Sequence, residues 1–330
     1  MNGLRLREGG WVLIGAALLF AAILVWALAP AILRVSERPP GDGVSVDSYE
    51  FDLSNLRLPA DAVLEPAMLH RDMVPTLLQP LGILTTSDID AMATTRKKYV
   101  LPEDAVVGVS IGGESRAYPI SMLNVHEMVH DELGGVPILV TWHWPSASPR
   151  VFDRRLNGQA RTFGISGLMA GGNMVLYPKH PNRQVGGEPL FSQLLGRSIS
   201  GKSMTLEPVP SYLTHWRTWR ANHPLTTVAG RDDQLKKRYK HADPAAFYLS
   251  GGLISDSLPP DQGPTAKTPV LIQTDGTITI PGVSPDDGSW FEVATAAGNP
   301  PRVELNTWSD EKTPRQALWH AVHALGAANP

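Results

Sequence analysis

The sequence predicts an α+β protein, with a β-rich, mainly antiparallel domain and a few short helices, preceded by one transmembrane helix. Three observations predict this class. Residues 11–33 form a run without a charged side chain. The body of the chain contains short apolar segments joined by two-residue turns such as Gly112-Gly113 and Asn157-Gly158. Helical segments are few and do not alternate regularly with the strands, which argues against a parallel α/β sheet.

The composition limits the classes of partner and of chemistry. The chain has 330 residues, of which 42% are hydrophobic and 18% charged, as in a folded globular protein. A formal net charge of -3 gives no broad basic field for the phosphates of a nucleic acid, so no nucleic acid partner is expected. The chain has no cysteine. Disulfides and thiolate ligands are therefore excluded, and any metal must bind through His, Asp, Glu or Met.

The amino-terminal part is predicted to be a membrane anchor. Residues 1–10 form a short tail, and the apolar run over residues 11–33 exceeds the roughly 18 residues that identify a transmembrane segment. A cleaved signal peptide is the alternative, but its apolar core is usually only about 7 to 15 residues long. Residues 34–66 are rich in Pro, Gly, Asp and Ser and predict a linker, which leaves residues 67–330 as a single domain.

The orientation of the anchor depends on the basic residues beside it. Arg5 and Arg7 before the segment are balanced by Arg34 and Arg38 after it. The free amino terminus favours the cytoplasmic side for the tail. We therefore expect a single-pass protein of the cell membrane whose carboxy-terminal domain is extracytoplasmic, on the periplasmic side.

The first hairpin of the domain is predicted around Gly112-Gly113. Residues 106–111 and 114–120 are the two strands. Ser121 is placed to cap a helix over residues 122–133, which carries an apolar stripe and ends at a glycine pair.

A strand and a second hairpin are predicted to follow. Residues 137–144 alternate strictly, with Ile138 and Val140 on one side and Leu139 and Thr141 on the other. Residues 150–156 and 159–165 flank Asn157-Gly158, the dipeptide that best suits a type I′ turn.

Pairing across this two-residue turn predicts two cross-strand contacts. Phe152 would face Phe163, which is a favourable aromatic pair. Arg154 would face Arg161, and like charges opposite one another are unfavourable. The arginine pair indicates either an anionic neighbour or a solvated edge.

The remaining segments are assigned by the same rules. Residues 188–195 and 212–222 are predicted helices. Residues 270–273 and 277–280 predict a hairpin around Asp275-Gly276, and residues 316–324 predict a short final helix.

The strongest chemical signal is H-E-x-x-H at residues 126–130. On a helix, His126 and His130 would lie one turn apart and bind Zn²⁺, while Glu127 would act as general base. His143, on the neighbouring strand, is the candidate third ligand. The alternative is a structural, hydrogen-bonding role for these histidines.

A second motif, GRSISGKS at residues 196–203, matches the phosphate-binding loop G-x-x-x-x-G-K-S. That loop requires a strand before it and a helix after it. The segment before it is helix-like and the one after it is extended and interrupted by proline. A surface turn is therefore the preferred interpretation, and no nucleotide is expected.

Several segments resemble the domain-of-unknown-function 3179 family, a family of uncharacterised and usually exported bacterial and archaeal proteins. The segments that carry the resemblance are RDMVP at residues 71–75, VVGVSIGGESRAYPI at 106–120, NVHEMVHDELGGVPILVTW at 124–142, VFDRR at 151–155 and TFGISGL at 162–168. The resemblance implies a fold and a set of recurring polar residues rather than an activity.

The chain departs from the family pattern in two places. Members typically have H-E-x-x-N, so His130 is an addition that weakens the protease hypothesis. They also carry a Y-C-P-L-C-G segment, where this chain has His143 and Ser146 at the two cysteine positions. Thiol chemistry is excluded here, whereas metal binding by imidazole stays open.

These observations predict one polar pocket and leave three functions open. The pocket would collect Arg71, Asp72, Arg116, His126 and Glu127. The first hypothesis is a binding or accessory module for an envelope protein, with zinc or copper held by the three histidines. The second is a zinc-dependent hydrolase, and the third is a structural interaction domain without metal.

Overall fold

A computed structural model of the chain describes residues 10–36, 39–95, 99–180, 186–250, 252–254, 267–272, 278–279, 290–293, 300, 302–305 and 315–325. The chain divides into two compact units, Met1–Pro40 and Gly41–Pro330. In the first unit, the stretch Trp11–Leu28 has a mean hydropathy of 2.6 and is long and apolar enough to cross a membrane, by length and composition. The predicted apolar segment is therefore a helix.

The second unit begins within the segment predicted as a linker. Tyr49 and Phe51 are both buried, and they pack in one hydrophobic core with Val175 and Tyr177. The later half of residues 34–66 therefore contributes to the fold.

The helices are short apart from the first. They are α1 (Gly10–Ser36), α2 (Thr86–Ala93), α3 (Ile120–His126), α4 (Trp216–Asn222), α5 (Lys236–His241), α6 (Ala245–Leu249) and α7 (Trp319–Ala324).

Strands make up most of the second unit. They are β1 (Leu64–Pro66), β2 (Ile83–Leu84), β3 (Ala105–Ile111), β4 (Glu114–Pro119), β5 (Met128–Leu133), β6 (Val136–His143), β7 (Ser148–Asp153), β8 (Arg155–Leu156), β9 (Gln159–Ala160), β10 (Phe163–Ala170), β11 (Asn173–Pro178), β12 (Phe191–Ser192), β13 (Arg197–Ser198), β14 (Glu207–Pro208), β15 (Ser211–His215), β16 (Thr227–Ala229), β17 (Pro269–Ile272), β18 (Ile278–Thr279), β19 (Trp290–Val293), β20 (Arg302–Leu305) and β21 (Arg315–Leu318).

Three stacked sheets position the candidate site. The central sheet has the order β14-β7-β6-β5, the β10 sheet has the order β1-β10-β11-β12-β13, and the β3 sheet has the order β15-β3-β4-β16-β2. Among the described strands, the one parallel pair is β16 with β4. The predicted α+β class with a mainly antiparallel sheet is confirmed.

Alternation along the central strands decides which core each side chain enters. Leu139 on β6 and Phe152 on β7 pack with Phe163 of the β10 sheet. Val140 and its neighbours on the opposite face pack with Tyr118 of the β3 sheet and with α3. The predicted strand and its two faces are confirmed, as is the hairpin around Gly112-Gly113.

The helix predicted over residues 122–133 is wrong. Helix α3 ends at His126, Glu127 has a left-handed backbone with φ of 53°, and Met128 begins strand β5. Strand β5 pairs with β6 along its length, so Gly134-Gly135 is the turn of a hairpin rather than a helix stop. Pairing with β6 outweighs the local helical pattern.

Other expectations are corrected in the same way. Residues 188–195 contain strand β12 and no helix. The two other predicted helices each begin with a strand, so β15 precedes α4 and β21 precedes α7. A short strand, β13, lies in the GRSISGKS segment, and no helix follows it among described residues 199–215.

The predictions for the two later hairpins are confirmed in part. Strands β8 and β9 pair around Asn157-Gly158. The predicted cross-strand pairing of Phe152 with Phe163 is wrong, because Phe152 pairs with Leu139 and Pro208, although both phenylalanines lie in one hydrophobic core. Strands β17 and β18 pair as predicted, and the turn between them lies outside the described residues.

Candidate functional site

His126 lies at the carboxyl end of α3 and contacts the core beside the β3 sheet. Its Nδ1 lies 2.5 Å from the carbonyl oxygen of Pro75 and its Nε2 lies 2.7 Å from the hydroxyl of Tyr239. Because a carbonyl only accepts, Nδ1 carries the proton and Nε2 accepts from Tyr239. Burial lowers the pKa of the imidazole, which keeps it neutral.

His130 lies on β5 and faces the β10 sheet. Its Nδ1 donates to the carbonyl oxygen of Leu77 at 3.0 Å, and its Nε2 accepts from the backbone N–H of Phe163 at 2.9 Å. These two partners fix the Nδ1–H tautomer, since a protonated Nε2 would face another donor. Burial, with the charges of Arg154 and Lys179, lowers the pKa of His130 to about 4.

Glu127 occupies the turn between α3 and β5. Its side chain is buried, and its Oε2 has no hydrogen-bond partner. Burial raises the pKa of the carboxyl to about 8, although the side chain of Trp144 opposes the shift. The carboxyl is therefore mainly protonated at neutral pH.

His143 lies at the end of β6, beside a group of buried, uncharged side chains. We call Thr141, Ser146, Ser148, Asn173 and Gln193 the serine–amide cluster. His143 Nδ1 lies 2.7 Å from Ser146 Oγ, and Asn173 Nδ2 donates to the same oxygen at 3.0 Å. Burial, together with nearby His320, lowers the pKa of His143 to about 3.

The hydrogen bonds of this cluster assign its protons. Ser148 Oγ donates to Gln193 Oε1 at 3.1 Å, so the 2.8 Å contact between the two serine hydroxyls uses the proton of Ser146. In this arrangement His143 Nδ1 donates to Ser146 Oγ. Ser146 is fully buried, so its hydroxyl is not open to a substrate from solvent.

Arg71 and Asp72 lie on the outer side of the β10 sheet. Arg71 forms a buried ion pair with Glu188 at 3.0 Å. Asp72 Oδ2 accepts from Tyr177 at 2.5 Å and pairs with Lys179 at 2.7 Å. Both predicted residues therefore hold neighbouring segments to the same sheet.

Arg116 lies on the β3 sheet. It forms an ion pair with Asp131 at 2.6 Å, and the hydroxyl of Tyr118 donates to the same carboxylate oxygen at 2.6 Å. Because Asp131 is adjacent to His130 on β5, the two side chains face opposite sides of the central sheet. Arg116 and His130 therefore do not share a pocket.

The structure thus distributes the predicted site residues over separate places. His126 and Arg116 lie on the β3 side of the central sheet. His130 and His143 lie on its β10 side, where His130 pairs with Leu139 and His143 is four residues farther along β6. Within the described residues, no group of three or more His, Cys, Asp or Glu side chains is arranged to hold a metal ion. The three-histidine site stays a prediction without a common coordination point.

The sequence predicts no functional role for the members of the serine–amide cluster, and it names Ser146 only as the position of a family cysteine. Tyr177 and Lys179 are also not predicted as site residues. Thr141 and His143 alternate with the apolar residues of β6, so an inward-facing polar stripe was visible on that strand. Gln193 reaches Thr141 from 52 residues away, and no local pattern shows such a contact.

A comparison with protein families gives a match. The family model described as protein of unknown function (DUF3179) matches residues 72–279, which is more than half of the chain. No curated protein and no solved structure matches the chain. The chain therefore belongs to the DUF3179 family of proteins of unknown function.

Proposed function

We propose that the chain is a membrane-anchored, extracytoplasmic binding module in which the H-E-x-x-H segment is structural and not hydrolytic. The observation that carries this proposal is the position of His130. Its imidazole joins the carbonyl oxygen of Leu77 to the backbone N–H of Phe163, and so ties β5 to the β10 sheet.

The hydrogen bonds of the motif explain why it suits structure better than metal chemistry. A zinc ligand needs a free lone pair on an imidazole nitrogen. In His130 that lone pair accepts from Phe163, and in His126 it accepts from Tyr239. Binding of zinc to either nitrogen would leave a buried donor unpaired, at a cost of about 1–3 kcal/mol for each group.

The anchor supports the membrane part of the proposal. Helix α1 contains the apolar stretch Trp11–Leu28, and the folded unit starts at Gly41. A covalently attached domain of this kind serves an envelope partner without needing an activity of its own.

The side of the membrane is tested with a single cysteine, because the chain has none. Lys202 is exposed, and Lys202→Cys offers a unique thiol. In cells whose outer permeability barrier is opened, a membrane-impermeant maleimide labels this thiol before lysis if the domain is extracytoplasmic. Labelling only after lysis contradicts the proposal.

The structural role is tested by thermal unfolding of the full chain in detergent, with and without a chelator. We expect purified protein to contain no stoichiometric zinc and the melting temperature to be unchanged by the chelator. His130→Ala should lower the melting temperature under both conditions, whereas His180→Ala, at an exposed position, should not. Zinc at one equivalent, with a chelator effect that disappears in His130→Ala, would show that His130 binds metal and would contradict the structural role.

A further inference from the structure

Three cationic residues lie close together along the backbone where β10 begins. Arg154 follows β7, Arg161 precedes β10, and Lys179 follows β11. The N–H of Arg161 donates to the carbonyl of Arg154 at 2.9 Å, and the N–H of Lys179 donates to the carbonyl of Thr162 at 2.8 Å. Neighbouring strands lie about 4.8 Å apart, so Arg161 lies directly opposite Arg154, while Lys179 lies opposite Thr162, one residue farther along. We call the three cationic residues the basic edge.

The basic edge lies over His130. The N–H of Phe163, two residues after Arg161, donates to the His130 imidazole. Arg154 and Lys179 both lie close enough to lower the pKa of His130, after the larger effect of burial. Two of the three cationic side chains therefore lie near the same buried imidazole, and they are also close together along the backbone.

The anionic groups nearby do not balance these charges. Lys179 pairs with Asp72 at 2.7 Å, and the nearest acid in sequence to Arg154 is Asp153, which pairs with Arg155 at 2.5 Å. Among the described residues, no carboxylate forms an ion pair with either Arg154 or Arg161. The guanidinium groups of Arg154 and Arg161 are therefore left without an ion-pair partner in the part of the chain that the structure describes.

The guanidinium of Arg154 makes one hydrogen bond to the protein and keeps one nitrogen without a partner. Its Nη1 donates to the carbonyl of Arg161 at 3.1 Å. Its Nε is shielded from solvent and has no hydrogen-bond partner. A guanidinium group binds an oxyanion with two parallel hydrogen bonds. Both arginines are half-buried, so part of each side chain is open to a ligand from solvent.

We infer that the basic edge is a binding site for a phosphate group, held by Arg154 and Arg161 with Lys179 at its margin. Guanidinium matches the geometry of a phosphate, and two positive charges that form no ion pair with a described carboxylate match its negative charge. The alternative, a solvated edge, requires two arginines to stay adjacent without a shared anion.

This inference gives the proposed binding module a ligand class and so rests on the proposed function. The phosphate group could belong to a free anion or to a lipid headgroup. Calorimetric titration of the full chain in neutral detergent with inorganic phosphate, and separately with dihexanoyl phosphatidic acid, distinguishes the two sources. Saturable binding in either arm, weakened by added sodium chloride, is the expected result.

The variants identify the residues. Arg154→Gln and Arg161→Gln should each weaken binding at least tenfold, because each removes a charge-assisted pair. Arg161→Lys should give an intermediate loss, since the charge stays but the fork is lost. Arg155→Gln is the matched control from the same hairpin, with an exposed guanidinium paired to Asp153, and should bind within twofold of the wild type. Unchanged melting temperatures establish that the variants are folded.

Absence of binding in both arms overturns the inference, as does wild-type affinity in both Arg154→Gln and Arg161→Gln. These outcomes are distinct from failure of the proposed function. A zinc-free protein that binds no phosphate loses only the inference, whereas stoichiometric zinc at His130 with intact phosphate binding loses only the structural role of the motif.

Discussion

The layer between the central sheet and the β10 sheet is polar at both ends, but in different ways. At one end the serine–amide cluster consists of uncharged side chains that satisfy one another, and Asn173 alone donates towards three acceptors. At the other end Arg154 and Arg161 of the basic edge carry charge, and Arg154 keeps a guanidinium nitrogen without a partner. A network of neutral side chains that are all hydrogen-bonded fixes how the sheets pack, whereas a buried charged group without a partner is suited to bind a ligand.

The largest loss of stability is expected when Asn173 is removed from the serine–amide cluster. Asn173 also accepts from the backbone N–H of Leu194 through Oδ1, at 3.0 Å. Asn173→Ala leaves several buried groups unpaired and should lower the free energy of unfolding by about 3–4 kcal/mol. Urea unfolding of the full chain, followed by tryptophan fluorescence, measures it.

The control for this prediction is Asn222→Ala. The Asn222 amide donates to the carbonyl of Thr218 at an exposed position. Its loss should cost less than about 0.5 kcal/mol. Equal losses in the two variants would mean that the cluster is not a cooperative network.

Glu127 lies just before β5 and is a buried acid without a partner for Oε2. Its folded pKa of about 8 lies above the ordinary value of 4.5. The folded state therefore binds the proton more tightly, and stability falls as the pH rises from 4.5 to 8. Glu127→Gln should raise the free energy of unfolding at pH 7 by at most about 3 kcal/mol.

This gain should disappear at pH 4, where the carboxyl is protonated in both states. Urea unfolding at pH 4 and pH 7 is the measurement. Loss of stability in Glu127→Gln at pH 7 would show that the carboxylate is ionised and paired in the folded protein.

At the charged end, Gly164 leaves room for the ion pair of Lys179 with Asp72. A Cβ at this position would meet Asp72 Oδ1 and would lie 2.6 Å from both Lys179 Cε and Tyr177 Cε1. Gly164→Ala should therefore destabilise the fold by about 2 kcal/mol. Gly252→Ala, where the nearest atom is 4.0 Å away, is the control for urea unfolding and should cause no loss.

His130 contributes a pH dependence to the free energy of unfolding. Its folded pKa of about 4 lies below the ordinary 6.5, so the unfolded state binds more protons between these values. Stability is therefore lost as the pH falls from 6.5 to 4. In His130→Asn the slope of unfolding free energy against pH should decrease by up to about 1.4 kcal/mol per pH unit.

Urea unfolding at half-unit pH intervals measures this slope. His180→Asn, at an exposed histidine, should keep the wild-type slope. A wild-type slope in His130→Asn would mean that His130 titrates normally and is not buried between the sheets.

The parts of the fold that could be predicted have one unambiguous period. Strand β6 alternates strictly, and its two faces enter the two cores as the pattern predicts. The segment before this strand, residues 122–133, is ambiguous because Val125, Val129 and Leu133 are spaced by four. That spacing fits one face of a helix and also one face of a strand. Pairing of β5 with β6 decided the outcome.

The site was less predictable because its contacts are long-range. Residue types at positions 126, 130 and 143 fit a metal site, but the strand at His130 turns its imidazole towards Phe163 and away from His126. The arginine pair was visible in sequence, since it depends only on the two-residue turn at Asn157-Gly158. The positions of the nearby carboxylates, and the other cations with which they form ion pairs, are visible only in the structure.

The most direct test of the central claim, that His130 is a neutral structural bridge, is the ¹⁵N spectrum of imidazole-labelled full chain at pH 7. The predicted result is an Nδ1–H tautomer for His130, with an unprotonated Nε2 that does not change when one equivalent of zinc is added. A protonated ring, or an Nε2 resonance that shifts stoichiometrically with zinc, would contradict the account.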